Sequence, residues 1–309
     1  MRRGTKPILL FFARMIQSIP PYLLTWMEFF IKKKQSTNYP IIFIISYPRS
    51  GSTLTYQILN RGTKSLYLSN IWNLLYALPF FGAKYTNEIL KNQNFSSDIG
   101  LVPGFSGESE GMKFWSYWMG QGLEEKRNLV SSDNLEYLKS LFATLLKKDK
   151  PMISGYLGHA FSINFLRKHF PGSFFIYLKR DELSNIYSML KTYKSFQNNR
   201  KNFNWFSLKP KGWEDKKDKD KIEKIFWQYK SIKKNIESQI LDNDTFTVNY
   251  DTICKEPRKF LRDIKSFALN HNIDLQLILE NIPRSFNVSK INPNLDNDSR
   301  IIYKLLKNE

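Results

Sequence analysis

Residues 41–60 read IIFIISYPRSGSTLTYQILN, and their reading decides the fold. Ile41 to Ile45 form an unbroken apolar, β-branched run, the pattern of a strand buried on both faces of a parallel sheet. Ser46 to Thr53 then crowd a Pro, an Arg, a Gly and several hydroxyls into a tight turn, and Leu54 to Leu59 resume as a helix. A strand, a small-residue turn and a helix N-terminus form an anion cradle. The first amides of a helix lack intrahelical partners, and the helix dipole favours negative charge there.

A nucleoside-triphosphate loop needs G-x-x-x-x-G-K-[ST], with the Lys on the β/γ-phosphates and the hydroxyl on Mg²⁺. Here Ser46 stands for the first Gly, Ser52 for the Lys, and the cation lies earlier, at Arg49. A second constellation follows in Phe174 to Leu190, FFIYLKRDELSNIYSML. Arg180 leaves the end of an apolar strand and Ser188 falls on the next helix. A guanidinium grips phosphate oxygens in bidentate fashion, and a hydroxyl adds a donor. Taken alone, the first segment also fits a helix capped by polar residues, and Arg180-Asp181 a surface ion pair.

Tyr47-Pro48-Arg49-Ser50-Gly51-Ser52-Thr53 resembles the loop of sulfotransferases that use 3′-phosphoadenosine-5′-phosphosulfate (PAPS). Their loop commonly reads Tyr-Pro-(Lys/Arg)-Ser-Gly-(Ser/Thr)-Thr. Arg180 and Ser188 match the family's 3′-phosphate pair, although Glu182 stands where relatives often carry Pro. His159 to Pro171 is similar to the helix before that strand in bacterial members. Val248 to Leu269 is similar to their Tyr-Glu-Asp-Leu, Asp-Pro, Phe-Leu region. The resemblance spans about Ile41 to Asn270. It implies a three-layer α/β/α fold with a central parallel sheet, of the P-loop nucleotide-binding type, and sulfuryl transfer to an acceptor hydroxyl or amine. It further implies that Arg49, Ser50, Gly51, Ser52 and Thr53 hold the 5′-phosphate, that Arg180 and Ser188 hold the 3′-phosphate, and that Tyr250 lies near adenine. Arg49 would neutralise the leaving group, so no metal is implied.

Transfer also needs a base for the acceptor proton. Relatives often place a Gly-Glu after the second strand, where this chain has Ser69-Asn70. Glu108 and Glu110, within Gly107-Glu108-Ser109-Glu110-Gly111, are the first candidates, and His159 is their rival. The same carboxylates also suit an ordinary acidic helix start. Phe114, Trp115 and Trp118 follow them and point to a carbohydrate acceptor by ring stacking, with a lipid or small alcohol as the other options.

Composition sets the remaining bounds. The chain has 309 residues and a formal charge of +19, which suits anionic ligands, nucleic acid or an anionic membrane face. The charge is dispersed and no nucleic-acid-binding motif is present, so that class ranks below the enzyme reading, as does a Mg-ATP phosphotransferase. The single cysteine, Cys254, excludes an internal disulfide and fits a reducing, cytoplasmic setting. His159, His169 and His271 lack the clustering of a metal centre.

Two regions are expected: an apolar and basic N-terminal segment over residues 1–40 and a catalytic domain over 41–309. Within the first, Arg14, Pro20, Pro21 and Glu28 interrupt the apolar stretch before Lys32-Lys33-Lys34. A spanning helix needs roughly 20 mostly apolar residues. Residues 8–34 therefore read either as helices packed on the domain or as a peripheral contact with the inner membrane face. Strands are expected at Ser65–Leu68, Phe174–Leu178 and Thr245–Asn249, and the helical patterns between them give the alternation of a parallel sheet. Lys209 to Lys224 read as a solvated loop or as a lid.

Overall fold

The computed structural model describes residues 19–28, 36–88, 95–97, 100–126, 130–201 and 203–308. Its centre is a five-stranded, wholly parallel sheet in the order β2-β3-β1-β4-β5. The strands are β1 (Ile41–Ser46), β2 (Leu66–Tyr67), β3 (Met152–Ser154), β4 (Phe174–Lys179) and β5 (Thr245–Asn249). All six residues of β1 are buried, as its unbroken apolar run requires. Side chains alternate across the sheet. Ile41, Phe43 and Ile45 enter one core with Trp115, Phe142 and Phe170. Ile42 and Ile44 enter the other with Ile58, Leu59, Phe260 and Leu261. Two cores on one sheet make the three layers, with helices Ser52–Gly62 and Pro257–Leu269 on the second face.

The order of the strands positions the site. From β1 the chain moves toward the β2 edge, and from β4 it moves toward the β5 edge. β1 and β4 are neighbours, in register from Ile42↔Phe174 to Ser46↔Leu178. Their connections diverge beyond the strand C-termini and open the crevice where such sheets bind ligands. The loop at Tyr47 and the turn at Arg180 flank that crevice.

Three expected elements differ in detail. The strand at Ser65–Leu68 shortens to Leu66–Tyr67, and three-residue β3 carries too little pattern to be read from sequence. The helix expected within His159 to Pro171 begins as a 3₁₀ turn, Leu157–Phe161, before Ile163–His169. In the Lys/Asp/Glu-rich run, the Trp213 indole donates to Glu124 at 3.3 Å and packs 5.3 Å from the Trp205 ring.

Most of residues 8–34 lie outside the described residues, but helix Pro21–Glu28 packs on the body. Its Thr25 hydroxyl meets Tyr117 Oη at 2.8 Å. Glu28 is fully buried, accepts the Tyr137 hydroxyl, and accepts the Phe80 amide at 3.3 Å. Tyr22, Leu23 and Trp26 on the same helix are exposed. Among the described residues, no helix is long and apolar enough to cross a membrane.

Burial raises the Glu28 pKa, against the lowering effect of its hydrogen bonds. A carboxyl with a raised folded pKa contributes stability at low pH that is lost as pH rises through that pKa. Glu28→Gln should therefore gain on the wild type as pH rises above the ordinary carboxylate range, when urea midpoints are compared. Tyr137→Phe, which strips one donor from the carboxylate, should cost roughly 1–3 kcal/mol.

Candidate active site

The loop after β1 is held by its carbonyls. Ser50 turns inward, and its hydroxyl and amide both donate to Tyr47 O, at 2.8 and 3.3 Å. Asn185, buried on helix Glu182–Asn199, donates to Pro48 O at 2.9 Å. Arg180 Nη1 donates to Arg49 O at 2.7 Å. Tyr47 anchors the start of the loop: its buried ring packs 4.8 Å from Tyr229 and its hydroxyl bonds that of Tyr177. Three consecutive carbonyls are thus fixed from behind.

The opposite side of the loop is left open. Gly51, at φ 97°, precedes helix Ser52–Gly62, which has no side-chain cap. Among the described residues, the amides of Gly51, Ser52 and Thr53 donate to no backbone carbonyl. The Tyr250 ring lies so close to Gly51 that a Cβ there would collide with it, so only glycine fits both the φ and the space. Arg49 also takes a left-handed φ of 66°, rare for a residue with a long side chain.

Two cations meet at this loop. Arg180 is fixed by Arg49 O and by Ser289 O at 2.9 Å, and its guanidinium stands 5.0 Å from the Tyr250 ring centre. The Nε atoms of Arg49 and Arg180 are both buried with no hydrogen-bond partner. Burial lowers the Arg49 pKa, and the neighbouring Arg180 charge lowers it further. Two like charges with unused donors beside free helix amides constitute an anion site.

Arg49 and Arg180 are shared by two cavities. The larger, about 620 Å³, is lined on one side by Gly51, Ser52, Thr53 and Tyr250 and on the other by Glu108 and Glu110. The smaller, about 370 Å³, is lined by Ser188, Lys191 and Ser289. The structure therefore gathers Arg49, Gly51, Ser52, Thr53, Arg180, Ser188 and Tyr250 at one crevice. Ser50 shapes the loop but turns its hydroxyl away from the cavity.

Two of the three base candidates are corrected. Glu108 is buried, and both its oxygens are occupied by Arg61: Nε to Oε1 at 2.8 Å and Nη2 to Oε2 at 3.0 Å. A carboxylate gripped by a buried guanidinium is a structural pair, poorly suited to accept a proton. His159 is fully buried, away from the cavity lining. Its ring bonds Ser154 Oγ at 2.8 Å and Gln121 Oε1 at 3.2 Å and packs edge-on to Phe43 and Trp115. Burial pushes its pKa down to about 3, so it is a neutral packing group.

Glu110 remains. It lines the cavity, and burial pushes its pKa up to about 7, opposed by a hydrogen bond from the Leu157 backbone. The aromatic cluster also differs from expectation. Phe114, Trp115 and Trp118 are fully buried, so they form core and offer no face to a ligand.

The sequence reading missed Asn185, Arg61 and Lys191. Asn185 lies one turn before Ser188 on the same helix, but nothing local marks its amide as the partner of Pro48 O. Among the described residues, no group of three His, Cys, Asp or Glu side chains is placed to hold a metal ion.

The Arg61–Glu108 pair yields a direct test. Removing one charge of a buried pair strands the other and costs about 3–5 kcal/mol. Glu108→Gln should accordingly lower the urea-unfolding free energy by that amount, a loss far larger than replacement of an exposed base would produce.

A model of the sulfotransferase family matches residues 40–269. No curated protein matches the chain. Among solved structures, the chain is similar to sulfotransferase STF9 from Mycobacterium avium, at 13% identity and a TM-score of 0.52, over 89% of this chain and 78% of that one. It is also similar to sulfotransferase STF1 from Mycobacterium tuberculosis H37Rv, at 12% identity and a TM-score of 0.45, over 91% and 76%. The likeness to the M. avium structure shows the same fold, a central parallel sheet flanked by helices. With the family match covering most of its length, the chain belongs to the sulfotransferase family.

Proposed function

We propose that this sulfotransferase moves the sulfuryl group from PAPS to an acceptor hydroxyl or amine, with Glu110 as the base. One observation carries the reading: Arg49 and Arg180, each with a buried unpartnered Nε, stand where the two cavities meet. A nucleotide with phosphates at both its 5′ and 3′ positions calls for two anion sites with shared cations. The free amides of Gly51, Ser52 and Thr53 and the latter two hydroxyls are assigned to the 5′-phosphate. Arg180 and Ser188 are assigned to the 3′-phosphate, and Lys191 adds charge on that side. Tyr250 supplies a ring surface at the loop.

PAPS supplies the activated sulfuryl group. The acceptor oxygen forms its bond to sulfur as the bond from sulfur to the 5′-phosphate oxygen breaks. The electron pair stays on that phosphate oxygen, where Arg49 is assigned to neutralise it, and the acceptor proton passes to Glu110. The demands are position and electrostatics, met by groups fixed in advance. Arg49 is held for this by its loop and makes no salt bridge among the described residues, so its charge is available. A base with a pKa near 7 is tuned to working pH.

Calorimetry with adenosine-3′,5′-bisphosphate, ATP and oligonucleotides tests the donor. Metal-free binding of the bisphosphate is expected, and selectivity for Mg-ATP would sink the assignment. Arg49→Ala should lower kcat by about 10²–10³ while the thermal unfolding curve is unchanged.

The base is tested by pH. Glu110 acts when deprotonated, so kcat/KM should fall as pH drops below about 7, the value to which burial raises it. Glu110→Gln should remove that limb and lower kcat by about 10²–10⁴. A retained limb would assign the base elsewhere.

A further inference from the structure

Outside the groups assigned to the nucleotide, the large cavity has a definite chemistry. Its wall is built by Leu101, Met112, Leu123, Leu157, Phe196 and Phe206. The apolar wall continues to the mouth, where Leu101 is 75% and Met112 48% exposed. Phe196 and Phe206 pack together with ring centres 5.7 Å apart. Among the described residues the lining contains no Lys or Arg besides Arg49 and Arg180, and a further cation, Arg200, stands 4.6 Å from the Phe196 ring centre.

The polar side chains of this remaining lining are largely engaged by the protein. Asn70 Nδ2 donates to the carbonyls of Val102 and Gly104, at 2.8 and 2.7 Å. Asn73 Oδ1 accepts the Lys113 amide at 3.0 Å, and Ser109 Oγ accepts the Gly111 amide at 3.2 Å. Glu108 is held by Arg61. Apart from Glu110, this leaves Ser97 and Ser207 as the polar side chains with no bond to the protein among the described residues. A sugar brings several hydroxyls, each costly to desolvate without a partner. An anionic glycan would meet, among the described lining residues, only the two arginines already assigned to the nucleotide. The buried Trp115 and Trp118 provide no stacking platform.

Resting on the sulfuryl-transfer reading above, we infer that the acceptor is an amphiphile: one hydroxyl carried on an apolar body, of the alkylphenol, long-chain alcohol or sterol class. The body lies along Leu157, Phe196 and Phe206 and emerges past Leu101 and Met112, and the hydroxyl reaches Glu110. Burial of apolar area supplies the affinity, and the lone carboxylate supplies the orientation.

The test is a homologous series of para-alkylphenols and n-alkanols assayed with labelled PAPS, beside a panel of mono- and oligosaccharides. KM should fall about threefold per added methylene until the cavity is filled. Met112→Lys, at the exposed rim, should raise KM for the longest members about fivefold or more while bisphosphate binding by calorimetry stays the same. Delivering the series free in solution and in phosphatidylglycerol vesicles assigns the source, a dissolved alcohol or a lipid surface. Failure of the bisphosphate to bind would overturn the donor assignment, and the acceptor inference with it. Normal bisphosphate binding with a flat KM series, with no alkyl acceptor turned over, or with a saccharide giving the highest kcat/KM would overturn the acceptor inference alone.

Discussion

The carbonyls of Tyr47, Pro48 and Arg49 all point into protein, and the rest of the site depends on that constraint. Each has its own donor: Ser50 within the loop, Asn185 from the following layer and Arg180 from the neighbouring strand. A short loop with its carbonyls turned back presents its amides forward. The absence of a side-chain cap on helix Ser52–Gly62 then becomes intelligible, because a cap would occupy the donors that the loop sets free. The arrangement also couples the two halves of the site. Arg180 shapes the first loop through Arg49 O and contributes charge to both cavities.

That shared position has an electrostatic consequence. Arg49 and Arg180 repel one another, and burial withholds the water that would screen them. An anion bound at the loop would relieve that repulsion. Affinity for anions and the strain of two adjacent guanidiniums are thus one property. Tyr250 adds the last element, lying against Gly51 and beneath Arg180, so the glycine is required both by its φ and by the ring beside it.

Burial assigns opposite roles to groups that look equivalent in sequence. Glu108 and Glu110 are two residues apart and both line the cavity. Glu108 meets Arg61 and is locked as an ion partner. Glu110 meets no cation among the described residues, and burial lifts its pKa to about 7. His159 shows the opposite outcome for a base: enclosed by Phe43, Trp115 and Tyr156, it is held neutral. Environment, more than residue type, sets how each of these groups holds a proton.

The sequence by itself determined the strand-loop-helix at Ile41 to Gly62 and the parallel α/β class, and it marked Arg49, Arg180 and Ser188 as candidates for binding phosphate. These signals are local. A run of β-branched residues, a turn composition or an Arg at the end of a strand is complete within about ten residues. What the tertiary structure decided rests on partners distant in the chain. Arg61 reaches Glu108 across 47 residues, and Asn185 reaches Pro48 O across 137. The direction in which Trp115 and Trp118 face follows from how helix Met112–Met119 packs on the sheet. No pattern within that helix fixes the choice, because a buried aromatic stripe and a ligand-facing one have the same spacing, and only the neighbouring layers determine which surface is covered.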